Sequence, residues 1–170
     1  MRLMALTTLD HRLFLLSQSH QYWRQLAVVA RWVSRSGDGP LYAVFALSLW
    51  LAAVPGANAF LVDALQAFAL ELPLYLLLKN TIKRRRPAVA LPGCQAFIEP
   101  SDRFSLPSGH TAAAFVMAVC ISAHYPAMAV LVLPWAAAIG LSRLALGVHF
   151  PTDILAGACL GSLAALFALL

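Results

Sequence analysis

Long apolar runs recur along almost the whole chain, and they constrain the fold more than any other feature of the sequence. The 170 residues are 61% hydrophobic and 11% charged, with a mean hydropathy of +0.78. A water-soluble domain of this length exposes far more charge. Segments that cross a bilayer must satisfy their own backbone polar groups, as helices or as a closed barrel. Because the runs are near-continuous rather than alternating, we expect an all-α, polytopic membrane helical bundle, forming a single domain over residues 1–170.

Turn signals divide these runs into about six helices, of which five or six are expected to span the membrane. Residues 1–35 predict amphipathic helices at 7–19 and 21–35, which lie in the interface or form a short, tilted span. Pro, Gly and charge concentrate in one long loop, 80–107. The expected spans lie near 40–54, 58–79, 109–124, 127–146 and 152–170.

The remaining composition narrows the function classes. The formal net charge is +5, and the basic residues adjoin the expected spans. This placement favours anionic lipid headgroups or an anionic substrate as the binding partner over nucleic acid. Three cysteines do not suggest a disulfide framework: Cys120 and Cys159 fall inside expected spans, and Cys94 is interpreted as a loop thiol. Charged residues from Asp10 onward interrupt the first apolar stretch, so we do not expect a cleavable signal peptide.

The order of the helices places the charged segments on one side of the membrane. The span over 58–79 ends at Lys79, and the span over 109–124 starts just after Ser108, on the same side. The next span returns the chain to Arg143, and the last begins after Pro151. Polar residues from distant stretches are therefore expected to form one site. They are Lys79, Arg86, Ser108, His110, Arg143, His149 and Asp153.

The segment KNTIKRRRP supplies cations to this face. Lys79 stands at a helix end, and Arg86 follows seven residues later, directly before Pro87. A guanidinium presents a planar fork to phosphate oxygens, and an ammonium presents a compact charge. Alone, the segment is more typical of a juxtamembrane basic run that contacts lipid headgroups, and Lys83, Arg84 and Arg85 fit that role.

The segment LPSGH precedes an apolar helix. Ser108 can cap that helix, and Gly109 permits close approach of a ligand to the backbone. The free N–H groups of a first helical turn bind anions, and His110 stands in that turn, where it can donate or accept a proton. The alternative is an ordinary serine cap beside an incidental histidine.

The segment SRLALGVHFPTD completes the set. Asp153 follows His149 by four positions, in the first turn of a helix that begins at Pro151. A carboxylate there can accept a hydrogen bond from one nitrogen of His149 and raise the nucleophilicity of the other. Arg143 adds a third cation for an anion. A helix cap with an interfacial histidine explains the stretch equally well by itself.

Together these residues describe phosphoryl transfer. Cations and backbone donors hold a phosphate and stabilise the charge of its transition state. One histidine attacks phosphorus and the second protonates the leaving oxygen. The sequence offers no acidic cluster for magnesium and too few ligands beside His110 and His149 for zinc, so we expect a metal-free reaction without a cofactor.

At this point the three motifs resemble the signature of the type 2 phosphatidic acid phosphatase superfamily. The signature is Lys-x6-Arg-Pro, Pro-Ser-Gly-His and Ser-Arg-x5-His-x3-Asp, and every fixed position is matched in order between Lys79 and Asp153. Upstream, the resemblance is limited to hydropathy and the turn Gly37-Asp38-Gly39.

The resemblance implies a metal-independent lipid phosphatase folded as a compact bundle of about six helices. It implies that His149 is the nucleophile that forms a phosphohistidine, that Asp153 orients it, and that His110 protonates the leaving group. The implied phosphate-binding residues are Lys79, Arg86, Ser108, Gly109 and Arg143.

Small bacterial members that resemble this chain act on undecaprenyl diphosphate, phosphatidylglycerophosphate or phosphatidic acid, and the minimal chain slightly favours the first. The expected partners are a lipid phosphate and membrane lipids. Bacterial relatives imply an inner-membrane protein whose site faces the periplasm. The cations on the site face predict the opposite, because positive loops tend to stay in the cytoplasm.

Two other functions remain open. A phosphotransferase of the same fold would pass the phosphate from His149 to another lipid. A non-catalytic lipid-binding or transport protein is the alternative outside the enzymes, although intact His110, His149 and Asp153 argue against it. Vanadium haloperoxidases share the superfamily but are larger and soluble.

Asp63 and Glu71 lie inside the expected span over 58–79. A carboxylate within a membrane span is a functional candidate by default. We favour a structural role, in which both face the bundle and pair with Arg24, Arg31 or a polar neighbour. Pro73 is expected to bend the same helix.

Overall fold

The computed structural model describes residues 2–170, with side chains from residue 7 onward, and its helices follow the apolar runs. The helices are α1 (Arg2–Gln18), α2 (Trp23–Arg35), α3 (Gly39–Leu51), α4 (Ala57–Ile82), α5 (Pro87–Ala90), α6 (Gly109–His124), a 3-10 turn (Pro126–Met128), α7 (Ala129–Ala145) and α8 (Pro151–Ala168). Within the described residues there is no strand, only one isolated bridge between Arg85 and Phe104. The all-α prediction is confirmed.

Five apolar helices form the membrane bundle. Three are long and apolar enough to cross a bilayer: Ala57–Ile82, Pro126–Ala145 and Pro151–Ala168. The other two, α3 and α6, are shorter than a typical span. The long loop expected over 80–107 is partly helical, because α4 continues to Ile82 and α5 forms after Arg86.

Helix α6 lies at the centre of the bundle, against α4, α7 and α8. Its contact with α8 depends on two glycines that have no room for a side chain. A Cβ at Gly157 would lie 2.5 Å from the Ser108 carbonyl oxygen, and one at Gly161 would lie 2.1 Å from that of Ala112. Close backbone contact of this kind is how small residues bring membrane helices together. It places the start of α6 directly beside the start of α8.

The first two helices cover the end of the bundle at which α8 begins. Phe14 of α1 packs edge-on against Phe150, with ring centroids 5.4 Å apart. Helix α2 packs along α7, and the Trp23 indole donates to the Ala145 carbonyl oxygen at 2.8 Å. Because α7 ends and α8 begins here, the N-terminal helices close over the predicted site.

Candidate active site

A cavity of about 540 Å³ opens at this end of the bundle. The ends of α4 and α7, the start of α6 and the α7–α8 connection all contribute to its wall. Six of the eight residues predicted for the site line it: Lys79, Arg86, Gly109, His110, Arg143 and His149. The other two, Ser108 and Asp153, lie behind the wall and are fully buried. The structure therefore brings together segments that are up to 74 residues apart in sequence, from Lys79 to Asp153.

The cations of the first motif converge on a carboxylate that the sequence did not single out. Asp102 accepts from Lys79 Nζ at 2.7 Å and from Arg86 Nη2 at 2.8 Å. Arg86 Nε also donates to the Asp102 carbonyl oxygen, and Tyr75 supports the Lys79 ammonium at 2.6 Å. Burial alone would raise the pKa of Asp102, but the hydrogen bonds and charges of Lys79 and Arg86 hold it below its usual value. The carboxylate thus occupies the two cations that the motif offers to a phosphate.

Arg143 enters the cavity from the end of α7 and is only partly paired. Its Nη1 donates to the Ser34 hydroxyl at 2.6 Å, while its buried Nε has no hydrogen-bond partner. A buried guanidinium N–H without an acceptor is costly unless a ligand supplies one. Arg143 is therefore prepared to receive an anion.

The serine-glycine segment positions the start of α6, but not in the way the sequence suggested. Ser108 stands at the cap position, yet its hydroxyl accepts from Thr111 at 2.9 Å and makes no capping bond to the backbone. The Ser108 N–H donates to the Asp153 carbonyl oxygen at 3.0 Å, which ties α6 to α8. Gly109 lines the cavity, so the free N–H groups at the start of α6 face the space in which an anion would bind.

His149 is held between a cation and a carboxylate. Its Nε2 lies 3.4 Å from Arg86 Nη1, and its Nδ1 lies 3.6 Å from Asp153 Oδ2. The second distance is longer than a hydrogen bond, and Nδ1 has no partner in this state. Burial lowers the pKa of His149 to about 4, so the imidazole is neutral at neutral pH and can act as a nucleophile.

Asp153 is fixed by groups other than His149. Its Oδ2 accepts from the Phe150 N–H at 2.8 Å, at the start of α8, and its Oδ1 accepts from Arg84 at 2.6 Å. Arg84 in turn pairs with Asp10 of α1. Asp10 also accepts from the Thr152 N–H at 3.0 Å, so α1 is tied to the helix that carries Asp153.

His110 pairs with Asp38, which lies in the turn between α2 and α3. The distance from His110 Nε2 to Asp38 Oδ1 is 3.1 Å, and both residues line the cavity. The turn was noted in the sequence only as a point of resemblance. Asp10, Asp38, Arg84 and Asp102 all escaped the motif analysis, since ion pairs between distant loops leave no spacing signal. Their one signal is that they are charged residues beside an apolar bundle.

The two intramembrane carboxylates of α4 differ in environment. Asp63 contacts His124 at 2.7 Å, at the end of the bundle away from the cavity, and neither Arg24 nor Arg31 is its partner. Glu71 instead lines the cavity, and within the described residues it has no hydrogen bond or ion pair. The expected structural role therefore holds for Asp63 alone.

Within the described residues, no group of three or more His, Cys, Asp or Glu side chains is arranged to hold a metal ion. Among the described acidic side chains that line the cavity, Asp102 pairs with cations and Asp38 with a histidine, whereas Glu71 has neither partner.

The bundle and its cavity are those of a membrane phosphatase superfamily. The model of the PAP2 superfamily matches residues 60–170, and the chain belongs to this superfamily. The structure of Aquifex aeolicus LpxE is similar to this chain, with a TM-score of 0.80 and 26% sequence identity over 93% of each chain.

Two relatives of known name are similar to this chain in sequence. Decaprenylphosphoryl-5-phosphoribose phosphatase of Mycolicibacterium smegmatis is 35% identical over 130 residues, which cover 75% of this chain and 63% of the relative. Bacitracin transport permease protein BcrC of Bacillus licheniformis is 29% identical over 154 residues, 91% of this chain and 67% of BcrC. The aligned part of this chain thus spans about two thirds of the length of these relatives.

Proposed function

We propose that this chain is an integral membrane lipid phosphatase that acts through a phosphohistidine on His149. The observation that carries the proposal is the placement of a neutral, buried imidazole with Nε2 toward Arg86 and Nδ1 toward Asp153. Both flanking charges are needed in such a reaction: the cation for the phosphate, and the carboxylate for the imidazolium that forms on attack.

The cavity supports a two-step mechanism. The phosphate lies among Lys79, Arg86 and Arg143, displacing the Asp102 carboxylate from the first two. His149 Nε2 forms a bond to phosphorus as the bond to the ester oxygen breaks, and His110 gives its proton to that oxygen. Water then attacks the phosphohistidine, His110 accepts a proton from the water, and the P–N bond breaks to release phosphate.

An apolar groove beside the cavity supports a lipid substrate. The groove has a volume of about 460 Å³ and shares Gly39, Phe68 and Ala113 with the wall of the cavity. Its remaining lining comes from α3, α4 and α6 and includes Tyr42, Ala46, Leu61, Leu65 and Met117. A hydrocarbon tail in the groove would leave the phosphate it carries in the cavity.

The proposed substrate is a lipid phosphomonoester or diphosphate. The candidates are undecaprenyl diphosphate, phosphatidylglycerophosphate and phosphatidic acid. The name of the mycobacterial relative adds a lipid-linked phosphoribose to these headgroups. We propose that the reaction needs no metal ion, because the cations of the cavity already supply the charge that magnesium provides elsewhere.

The decisive experiment measures phosphate release by the purified protein across these lipids, with EDTA present. We expect release to persist in EDTA and to be abolished in His149→Asn. His124→Asn is the control, because His124 is also a histidine beside an aspartate, partly buried, but lies outside the cavity. A rapid alkaline quench with labelled substrate should trap a phosphoprotein that is stable in base and that loses its label when it is acidified. Strict magnesium dependence, or full activity of His149→Asn, would contradict the proposal.

The alternatives predict other products. A phosphotransferase would form a new lipid phosphate when an acceptor lipid is added, in place of free phosphate. A transport protein, which the name of BcrC favours, would bind lipid phosphates without releasing phosphate at all.

We further propose that the protein resides in a bacterial inner membrane with the site facing the periplasm. The arginines and lysine of the site are committed to internal partners, so they are poor indicators of the cytoplasmic side. Cys94 lies in the loop on the site face and is partly exposed. A membrane-impermeant maleimide should therefore label Cys94 in intact spheroplasts, and not in Cys94→Ser. Labelling only after permeabilisation would place the site in the cytoplasm.

A further inference from the structure

Glu71 is a buried carboxylate that the proposed mechanism does not use. It belongs to α4, which is long and apolar enough to span a bilayer, and its side chain lines the catalytic cavity. The residue is 4% exposed and, within the described part of the chain, has no hydrogen-bond or ion-pair partner. Asp63, two turns earlier in the same helix, is satisfied by His124. An unpaired carboxylate in a membrane helix is costly and is retained where a ligand supplies its partner.

The position of Glu71 along α4 identifies the part of a substrate that it meets. On the side of the groove, Phe68 lines both the groove and the cavity. On the other side, Tyr75 and Lys79 follow at intervals of four residues, and the Lys79 ammonium lies over the Tyr75 ring. Glu71 therefore stands between the groove for a hydrocarbon tail and the cations for a phosphate. The atoms that join tail to phosphate must pass this carboxylate.

The chemistry of that connecting segment decides whether Glu71 is satisfied. A phosphate attached directly to a hydrocarbon chain brings only C–H groups to the carboxylate. A second phosphate brings further acceptor oxygens, which donate no hydrogen bond to the carboxylate oxygens of Glu71. A free hydroxyl on the alcohol that carries the phosphate donates a charge-assisted hydrogen bond.

We propose that Glu71 forms a hydroxyl-binding subsite, which selects phosphomonoesters of lipid-linked polyols. The inference rests on the proposed function, since it assigns the leaving alcohol of the same reaction. Among the candidate substrates, it favours phosphomonoesters that carry a free hydroxyl over the lipid diphosphate.

Two synthetic lipids that differ in one hydroxyl test the subsite. The first is a single-chain alkyl glycerol phosphate with its central hydroxyl free, and the second is the methyl ether of that hydroxyl. We expect the wild-type protein to prefer the free hydroxyl about tenfold or more in kcat/KM, the usual effect of a hydrogen bond to a charged group. Glu71→Leu should reduce this ratio to about one while it still hydrolyses the methyl ether.

Glu71→Gln provides a conservative second variant. Its amide oxygen still accepts a hydrogen bond but carries no charge, so the ratio should fall at least about threefold and stay above that of Glu71→Leu. Asp63→Asn is the matched control, because it neutralises a carboxylate of the same helix outside the cavity, and it should keep the wild-type ratio.

The possible outcomes distinguish a failure of the subsite proposal from a failure of the proposed function. If the wild-type protein hydrolyses both lipids equally, or if the ratio survives in both Glu71 variants, the subsite is wrong and the phosphatase stands. If the wild-type protein releases phosphate from neither lipid nor from any other lipid phosphate, the proposed function fails and the subsite fails with it.

Discussion

His110 Nε2 lies 3.1 Å from Asp38 Oδ1, although 72 positions separate the two residues in sequence. Asp38 reaches this position because the turn between α2 and α3 lies at the wall of the cavity. A carboxylate at this distance stabilises an imidazolium, which is the form that a general acid requires.

We expect Asp38→Asn to slow hydrolysis of alkyl lipid phosphates by about 10²-fold, within the range of general acid catalysis. The rate of hydrolysis of an aryl phosphate, whose leaving group departs without a proton, should fall much less in the same variant. Steady-state kinetics with both substrates measure the difference. Asp63→Asn, which disrupts the other aspartate–histidine pair, should leave both rates unchanged. Equal losses on the two substrates would show that Asp38 does not act through the leaving group.

Asp102 pairs with Lys79 and Arg86, the two cations that are proposed to bind the phosphate. Its carboxylate is about one third exposed, so each pair contributes modestly, about 1 kcal/mol. We therefore expect Asp102→Ala to tighten competitive inhibition by inorganic phosphate about fivefold. Inhibition constants for the wild-type protein and the variant measure this effect. Asp63→Asn neutralises a carboxylate that lies at the opposite end of the bundle and should leave the inhibition constant unchanged. Weaker inhibition in Asp102→Ala would mean that Asp102 positions the cations rather than competes for them.

Arg84 neutralises two carboxylates that are almost fully buried, Asp10 and Asp153. Removal of the shared partner of buried charges costs about 3 kcal/mol, which corresponds to a fall of roughly 6–12 °C in the unfolding midpoint of a chain of this size. We expect Arg84→Met to show this fall in detergent-solubilised protein, followed by tryptophan fluorescence. Arg85→Met is the control, because the neighbouring side chain is exposed. Similar midpoints for the two variants would be incompatible with a stabilising role for the Arg84 pairs.

Burial of His149 makes stability depend on pH. The pKa is lowered to about 4 in the folded protein, while an unfolded histidine titrates near 6.5. Between these values the unfolded state binds more protons, so stability rises with pH and is lost as the pH falls below about 6.5. From pH 7 to 4.5 we expect the wild-type protein to lose about 2 kcal/mol relative to His149→Asn. Unfolding curves of both proteins at the two pH values measure this difference. If the wild-type protein and His149→Asn lose the same free energy of unfolding, His149 is not buried in its neutral form.

The bundle could be predicted because bilayer physics leaves few options for long apolar runs. Helices α6 and α8 begin close to the expected positions, because Ser108 and Pro151 mark their first turns in the sequence. The sequence predicts the end of α4 too early, because a charged residue such as Lys79 is typical of the end of a membrane span. The helix continues to Ile82, with Lys79 buried against Tyr75 and Asp102.

The convergence of the motif residues also followed from the sequence, because the order of the crossings fixes which helix ends share a face. The partners of these residues did not follow. Asp102 and Arg84 reach the site through the path of the loop between α4 and α6, and Asp10 through the docking of α1. Such contacts depend on the tertiary packing of irregular segments. Neither helical periodicity nor motif spacing in the sequence predicts that packing.

The shortness of α3 bears on how the protein deforms its bilayer. Helix α3 begins at the wall of the cavity and runs for 13 residues to the turn that precedes α4. Thirteen residues rise about 20 Å, against a hydrocarbon thickness of about 30 Å. Hydrophobic mismatch of this size is relieved by local thinning of the leaflet. A lipid beside α3 would then have its phosphate already lowered by several ångströms toward the cavity, so the thickness of the host membrane would itself influence the rate of catalysis.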